Sequence, residues 1–256
     1  MLLQSMVSDP KVQSIKWLDL ACGQGQILMG LGDGFSPVSK KKIEFTGYDL
    51  SEYYVKETEK LAGSSGLRAY RGVVGDLTDV DKLLVNQQFD FITLTNTVHE
   101  IRPRKLAGVL VDAILRLSPN GVLFIYDMET IDPLELGAVP WSGGDLTEIL
   151  RHTLTAFEVE TYDPPVNHWQ HRTRDAWSVQ IHRNHLVSKG LLASLRNSAE
   201  SAAAQAIMNL LKNKYARCRA ALENLTTYGP ETADEQTTKE TLLHEFWALS
   251  RALEGK

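Results

Sequence analysis

The run Trp17-Leu18-Asp19-Leu20-Ala21-Cys22-Gly23-Gln24-Gly25-Gln26-Ile27 constrains this chain more than any other stretch, because an apolar strand ends there in a tight glycine turn that opens a helix. Glycine lacks Cβ, so Gly23 and Gly25 admit positive φ and let the backbone come close to a ligand, while the first turn of a helix offers free N–H groups. Such a turn suits a nucleotide-like ligand. A second predicted strand, residues 42–48, is followed by Asp49, about two dozen residues beyond the turn, where an α/β nucleotide fold places a carboxylate on ribose hydroxyls. The competing role for Asp49 is to cap the next helix, for which Ser51 is the better candidate.

Strands and helices alternate after that turn, which predicts a largely parallel sheet covered on both faces. Helices are expected at residues 51–62, 79–85, 104–117 and 145–154, and strands at 67–74, 89–95 and 121–127. Residues 157–162 and 176–183 read as two further strands flanking a loop. Beyond His185 the composition turns to Ala, Leu and Lys, with helical periodicity over 186–228 and again over 241–253. Leu191, Leu195, Ala199, Ala202, Ala206 and Leu210 form a stripe that must bury against the sheet domain, a second copy or a partner. The chain therefore divides into a ligand-binding domain, residues 1–185, and a helical appendage, residues 186–256, serving packing, a lid or oligomerisation.

Hydrophobic residues make up 43% of the chain and charged ones 23%, enough to bury a full core. No apolar run approaches the roughly 20 residues of a membrane span, and the first residues lack a secretory signal's basic and apolar segments. Two cysteines, one of them inside the glycine turn, predict no disulfide framework and a cytoplasmic protein. A net charge of −5 argues against a nucleic-acid footprint over the whole surface.

Five segments in order, Asp19-Leu20-Ala21-Cys22-Gly23-Gln24-Gly25, Tyr48-Asp49-Leu50-Ser51, Gly75-Asp76-Leu77, Phe89-Asp90-Phe91-Ile92 and Leu117-Ser118-Pro119-Asn120-Gly121-Val122-Leu123, resemble the successive motifs of class I S-adenosylmethionine-dependent methyltransferases. The resemblance covers residues 15–185 and departs at Ala21, where many members carry glycine. It implies a doubly wound, mostly parallel, seven-stranded Rossmann-like sheet closed by an antiparallel pair, with S-adenosylmethionine as cofactor. Cofactor contacts would then come from Asp19, Ala21, Cys22, Gly23, Gly25, Asp49, Leu50, Asp76, Leu77 and Asn96. Asp19 would sit near the methionine end, Asp49 on the ribose and Asp76 with Leu77 on the adenine; Asp19 and Asp76 also suit plain turn stabilisation. Many relatives place a substrate-covering helical segment before the first strand, so this chain either uses its C-terminal helices for that purpose or begins late.

Ligands of open α/β sheets bind beyond the carboxyl ends of the strands. Asn96 and His99, just after the fourth predicted strand, are thus the candidate catalytic residues. Asn96 suits holding substrate or cofactor, and His99 suits general base, cofactor contact or a structural role. Trp141, His168, Trp169 and Arg172, on two loops of the same edge, are the candidate acceptor-binding residues, since aromatic, His and Arg groups together suit a planar or anionic molecule. Asp163-Pro164-Pro165-Val166 looks like an amino-methylation signature but stands after the wrong strand. The pairs His168/His171 and His182/His185 lack a frame that would converge them, and no metal is expected. The expected activity is methyl transfer to an O- or N-nucleophile of a small molecule. The rivals are an RNA or protein methyltransferase, with a groove built from Arg102, Arg104, Arg172 and Arg174, and a cofactor-binding interaction protein without turnover. A homodimer or a protein partner would use the C-terminal helices.

Overall fold

The computed structural model describes residues 2–32, 34–131, 135, 137–159, 162–171, 174–186, 189–228 and 232–255. Its strands are β1 (Ile15–Leu20), β2 (Ile43–Asp49), β3 (Ala69–Val74), β4 (Phe89–Thr95), β5 (Leu117–Met128), β6 (Val166–His171) and β7 (Arg174–His182). They form one sheet in the order β3-β2-β1-β4-β5-β7-β6. Neighbours among β1 to β5 pair in parallel, whereas β6 and β7 are an antiparallel hairpin. Flanking helices are α1 (Leu2–Ser8), α2 (Gln26–Met29), α3 (Pro37–Lys40), α4 (Glu52–Ser64), α5 (Val80–Leu83), α6 (Pro103–Leu115) and α7 (Gly143–Ala156), followed by α8 (Lys189–Ser194), α9 (Arg196–Tyr228) and α10 (Ala233–Glu254). This is the mostly parallel seven-stranded architecture expected, with its helical C-terminal segment.

The chain falls into two compact units. The first comprises Met1–Thr95, Gly108–Tyr126 and Gln180–Ala193. Its centre is β1, buried on both faces except at Lys16, as a strand inside a parallel sheet must be. Trp17 packs edge-on against Phe45 and tilted against Phe91, with ring centroids 5.0 and 5.8 Å away. Helix α1, which the sequence reading does not assign, adds Leu3 and Val7 to that cluster, and Lys42 Nζ donates to the carbonyls of Val7 and Asp9 at its carboxyl end. Asp90 knits the sheet's amino edge: one carboxylate oxygen accepts from Lys16 N–H and the other from the Ser118 hydroxyl. Beside it the β4–β5 register slips, since Phe89 faces Leu117 but Phe91 faces Val122. The strand therefore begins at Leu117 rather than Gly121, the extra residues being absorbed at Pro119-Asn120-Gly121. Gly121 permits this: a β-carbon there would stand 2.7 Å from the Phe89 carbonyl oxygen and 2.9 Å from Ser118 N.

The second unit comprises Asn96–Ala107, Asp127–Val179 and Ser194–Lys256. Helix α7 opens on a capping box between Ser142 and Asp145 and buries Leu146, Ile149, Leu150 and Leu154, one apolar stripe at helical spacing. Helix α9 packs on α7 and α10 through Ala199, Ala203, Ala206, Ile207, Leu210, Leu211 and Cys218, all buried. Asp145 contributes twice, because its Oδ2 accepts from Ser142 N–H and also lies 2.7 Å from Lys214 Nζ of α9, a pair with little solvent exposure. The expected stripe through Leu191 and Leu195 assumes one continuous helix. The chain instead breaks at Leu195 between α8 and α9, leaving Leu191 exposed and burying Leu192.

Two further expectations are corrected. Of residues 157–162, expected as a strand, 160 and 161 lie outside the described residues and the others are not strand. The alternation of Phe157 and Val159 is that of a helix stop: Glu158 has φ +61°, and Val159 N–H reaches back to the Leu154 carbonyl, the pattern of a helix ending in a left-handed residue with an apolar residue after it. The sixth strand is Val166–His171, which moves His168 and Trp169 from a loop into β6. Helix α10 begins at Ala233 rather than near 241, on a capping box of Thr232 with Glu235.

Gly121→Ala is expected to destabilise the protein by about 1–3 kcal/mol, the usual range for overpacking, because the neighbours are backbone atoms. Gly190→Ala, on α8 with no atom within 4 Å of the new β-carbon, is expected to be neutral or to stabilise by up to about 1 kcal/mol. Thermal melts of the two variants check both; equal melting temperatures would contradict the packing argument.

Candidate active site

The glycine turn is built by the first unit. Ala21, Gly23 and Gly25 all have positive φ, +55°, +51° and +77°. Ala21 thus holds the left-handed conformation without glycine's freedom, which costs about 1–2 kcal/mol. The turn is locked from three directions. Cys22 N–H donates to the Tyr48 carbonyl at 2.9 Å, Thr58 of α4 donates from Oγ1 to the Gly23 carbonyl at 2.7 Å, and Gly23 N–H donates to Asp49 Oδ2 at 2.9 Å. The other oxygen of Asp49 accepts from Ser51 N–H at 2.8 Å, while the Ser51 hydroxyl caps α4 by accepting from Tyr54 N–H. Asp49 and Ser51 therefore divide the work that sequence alone leaves open. Each carboxylate oxygen has a second lone pair, so Asp49 retains acceptor capacity for ribose hydroxyls.

No atom stands within 4 Å of where a β-carbon of Gly23 would lie, so the turn is open to a ligand at that point. The helix behind it is short: α2 spans one turn, Gln26–Met29, and the cradle rests on the turn's own N–H groups rather than on a long helix dipole. Asp19, 2% exposed, ends a relay in which Trp17 Nε1 donates to Thr93 Oγ1 at 2.9 Å and Thr93 Oγ1 donates to Asp19 Oδ1 at 2.6 Å. Burial pushes the Asp19 carboxyl up to about 7, against the lowering effect of the Thr93 bond and helped by the charge of Asp49. Such a carboxyl is poised to ionise when a cation arrives, and an ammonium group is one. Burial likewise pushes the Cys22 thiol up to about 12, so the thiol is neutral. Leu50 is 71% exposed directly after β2, an apolar surface free for a flat ring. Asp76 Oδ1 accepts from both Thr78 N–H and the Thr78 hydroxyl and so caps the single 3-10 turn Leu77–Asp79, and Leu77 is half-buried in that turn. The ribose and ammonium positions of S-adenosylmethionine thus find chemically fitting groups in Asp49 and Asp19.

The second unit holds the other cluster. Asn96, first after β4, is exposed with φ +51°, a conformation asparagine tolerates better than most residues. His99 is 8% exposed. Its Nδ1 lies 2.7 Å from Asp127 Oδ1, its backbone N–H donates to Asp127 Oδ2, and its Nε2 lies 3.0 Å from Glu135 Oε2 and 4.0 Å from Glu100 Oε1. Burial pulls the imidazole's pKa down, but the hydrogen bond to Asp127 and the charges of Asp127, Glu135 and Glu100 outweigh it, and the net shift is upward.

Of the expected acceptor residues, Trp141 is 1% exposed in the core of the second unit. Its carbonyl accepts from Trp177 Nε1 at 2.8 Å, and in this conformation its ring offers no open face. His168 lies on β6 with Nδ1 3.3 Å from Glu129 Oε1, the same oxygen that accepts from Gly143 N–H at the start of α7. Trp169, opposite Ala176 in the hairpin, is 39% exposed. Glu129 N–H donates to the Asp175 carbonyl, which sets the start of β7 beside the carboxyl end of β5. Arg172 lies outside the described residues. Arg104 is engaged, with Nη2 3.4 Å from the Leu253 carbonyl oxygen at the carboxyl end of α10. The described residues contain no group of three or more His, Cys, Asp or Glu side chains that could hold a metal ion, and no helix among them is long and apolar enough to cross a membrane.

Sequence reasoning missed Thr58, Thr93, Asp127 and Glu135. Asp127 was within reach, since it stands at the end of a strand as Asp19 and Asp49 do. Thr58 and Thr93 act from within regular elements, and Glu135 belongs to no helix or strand, so spacing carries no signal for it.

A methyltransferase-domain family model matches residues 18–123. No curated protein matches the sequence significantly. Among solved structures, the magnesium protoporphyrin IX methyltransferase from Synechocystis PCC 6803 with bound SAH aligns over 71% of this chain and 80% of its own, with 13% identity and a TM-score of 0.51. The CurJ carbon methyltransferase aligns over 70% of this chain and 51% of its own, with 13% identity and a TM-score of 0.50. The strand order and the glycine turn agree with the methyltransferase-domain model matched over residues 18–123 and with the fold of these solved methyltransferases.

Proposed function

We propose that this enzyme methylates a hydroxyl or amine of a small molecule, with His99 as general base, in the cytoplasm. The observation that carries the reading is the His99–Asp127 pair: a buried imidazole whose Nδ1 is held at 2.7 Å and whose own backbone is fixed by the same carboxylate. Asp127 fixes the ring's orientation and tautomer, so that Nε2 is the nitrogen that exchanges a proton. S-adenosylmethionine, when bound, supplies a methyl carbon made electrophilic by its sulfonium. The residues around it then have to align the acceptor and exclude water; His99 Nε2 takes the acceptor's proton as the nucleophile's lone pair forms the new bond. Asn96, His168, Trp169 and Arg172 are proposed to contact the acceptor, and Asp19, Ala21, Cys22, Gly23, Gly25, Asp49, Leu50, Asp76, Leu77 and Asn96 the cofactor. Residues 186–256 are proposed as a packing or lid region that follows a binding domain of residues 1–185. The engagement of Arg104 with α10 and the net charge of −5 favour a small acceptor over an RNA.

The direct test is transfer of an isotope-labelled methyl group from S-adenosylmethionine to a panel of phenols, alcohols and amines. Labelled product from a subset of the panel is expected. Tight cofactor binding with no product across the panel, and label entering RNA instead, would overturn the acceptor class. On any acceptor found, His99→Ala should lower kcat about 100-fold or more with cofactor affinity nearly unchanged. The wild-type rate should fall as pH drops through the His99 pKa, with an inflection above the ordinary 6.5. The ion pairs of His99 should stabilise the fold fully below about 6.5 and lose that effect as pH rises through the raised folded value, which melts of His99→Gln against wild type would show.

Cofactor binding should draw on both carboxylates. Asp49→Ala is expected to weaken S-adenosylmethionine affinity by roughly 1.5–3 kcal/mol, the range for hydrogen bonds to a charged group, and to lower the melting temperature because Gly23 N–H loses its acceptor. Placing a cation near Asp19 should release a proton on binding below about pH 7, so affinity should weaken as pH falls through that value. Calorimetric titrations in buffers of different ionisation enthalpy measure the proton count. A count of zero, or one unchanged in Asp19→Asn, would remove Asp19 from the ammonium site.

A further inference from the structure

His99 is gripped at both ring nitrogens. Asp127 holds Nδ1, and Glu135 Oε2 stands 3.0 Å from Nε2. A carboxylate at each nitrogen requires each to carry a proton, so this arrangement is an imidazolium with no lone pair left to accept another. The nitrogen a base must offer is thus covered. Among the described residues, the charged groups facing the ring are Asp127 at the end of β5, Glu135 in the segment after it, and Glu100 on the adjoining residue.

The cover is attached to the fold without being buried in it. The Glu135 side chain is 43% exposed. Its carbonyl accepts from Ala138 N–H, and Val139 N–H donates to the His99 carbonyl, so Glu135 is tied through Ala138-Val139 to the His99 backbone. Gly137 in that turn has φ +90°, and a β-carbon there would lie 3.6 Å from Cζ3 of Trp247 on α10. Trp247 is in turn covered by the Arg251 guanidinium, 4.9 Å from its ring centroid. Helix α10 therefore backs Gly137, within the one unit.

We propose that Glu135 is a displaceable stopper on the base: it holds His99 as an imidazolium with Nε2 covered, and the acceptor's nucleophilic group takes its place during turnover. When Glu135 leaves, the Nε2 proton goes to its carboxylate and from there to water, and His99 becomes neutral. It can then take the acceptor's proton as the methyl group is transferred, and it returns to Glu135 as an imidazolium afterwards. Glu135 acts through His99 and is a positioning residue. Trp247 sets how readily the turn opens.

The inference rests on the reading of His99 as the base, but its test needs no acceptor. The probe is diethyl pyrocarbonate, which attacks unprotonated imidazole nitrogen, with modification at His99 followed by peptide mass spectrometry, together with an NMR titration of the His99 Cε1–H. Glu135→Gln keeps the shape and removes the charge. It is expected to lower the titration midpoint by about one pH unit or more and to raise the His99 modification rate at pH 6.5 about tenfold. Trp247→Ala, which leaves Glu135 in place, is expected to raise the rate severalfold. Unchanged midpoint and rates in both variants would overturn the stopper while leaving the base role standing. Full turnover by His99→Gln on an acceptor found as above would remove the base role, and the stopper with it.

Discussion

The bond from Gly23 N–H to the carboxylate of Asp49 is the interaction on which the rest of the first unit's chemistry depends. A glycine turn is conformationally expensive, and this one holds three successive left-handed positions at alternate residues, one of them an alanine. Asp49 fixes the turn through one oxygen and starts α4 through the other, by way of Ser51 N–H. Helix α4 returns the support, because Thr58 donates to the Gly23 carbonyl. Strand β2, the turn and α4 thus form a closed hydrogen-bonded ring, and the turn is preorganised by the protein's own groups.

Electrostatics divide the two clusters. In the first unit, burial keeps Asp19 close to its ionisation point, a carboxyl that a cation would convert. In the second, three carboxylates surround His99 and overcome its burial, so the imidazole is favoured in its charged form. Both are buried titratable groups held by a well-oriented hydrogen-bond partner, Thr93 for Asp19 and Asp127 at Nδ1 of His99. That arrangement fixes geometry and leaves the protonation state to be decided by what binds.

The cradle was legible because its residues sit where β1 and β2 end, and strand ends can be read from apolar runs that stop at glycine or aspartate. β4 was read at its observed bounds for the same reason. β6 was not, since an edge strand paired only with β7 has no second neighbour to bury against and carries the polar sequence Val166-Asn167-His168-Trp169-Gln170-His171. The apolar alternation near Phe157 belonged to a helix stop. The start of α10 was readable in Thr232 and Glu235, whose spacing is that of a capping box. Trp141 shows the opposite limit: it precedes α7 as read, but only the tertiary fold, in which it is buried and its carbonyl accepts from Trp177 Nε1, makes it a core residue.

The most direct measurement is an amide NMR titration of the full chain with S-adenosylhomocysteine. The account predicts large shifts at Gly23 and Ser51, which Asp49 joins, and at the nearby Gly25 and Leu50, with saturation at a single affinity. Shifts confined to residues away from the glycine turn, or none at millimolar ligand, would contradict it.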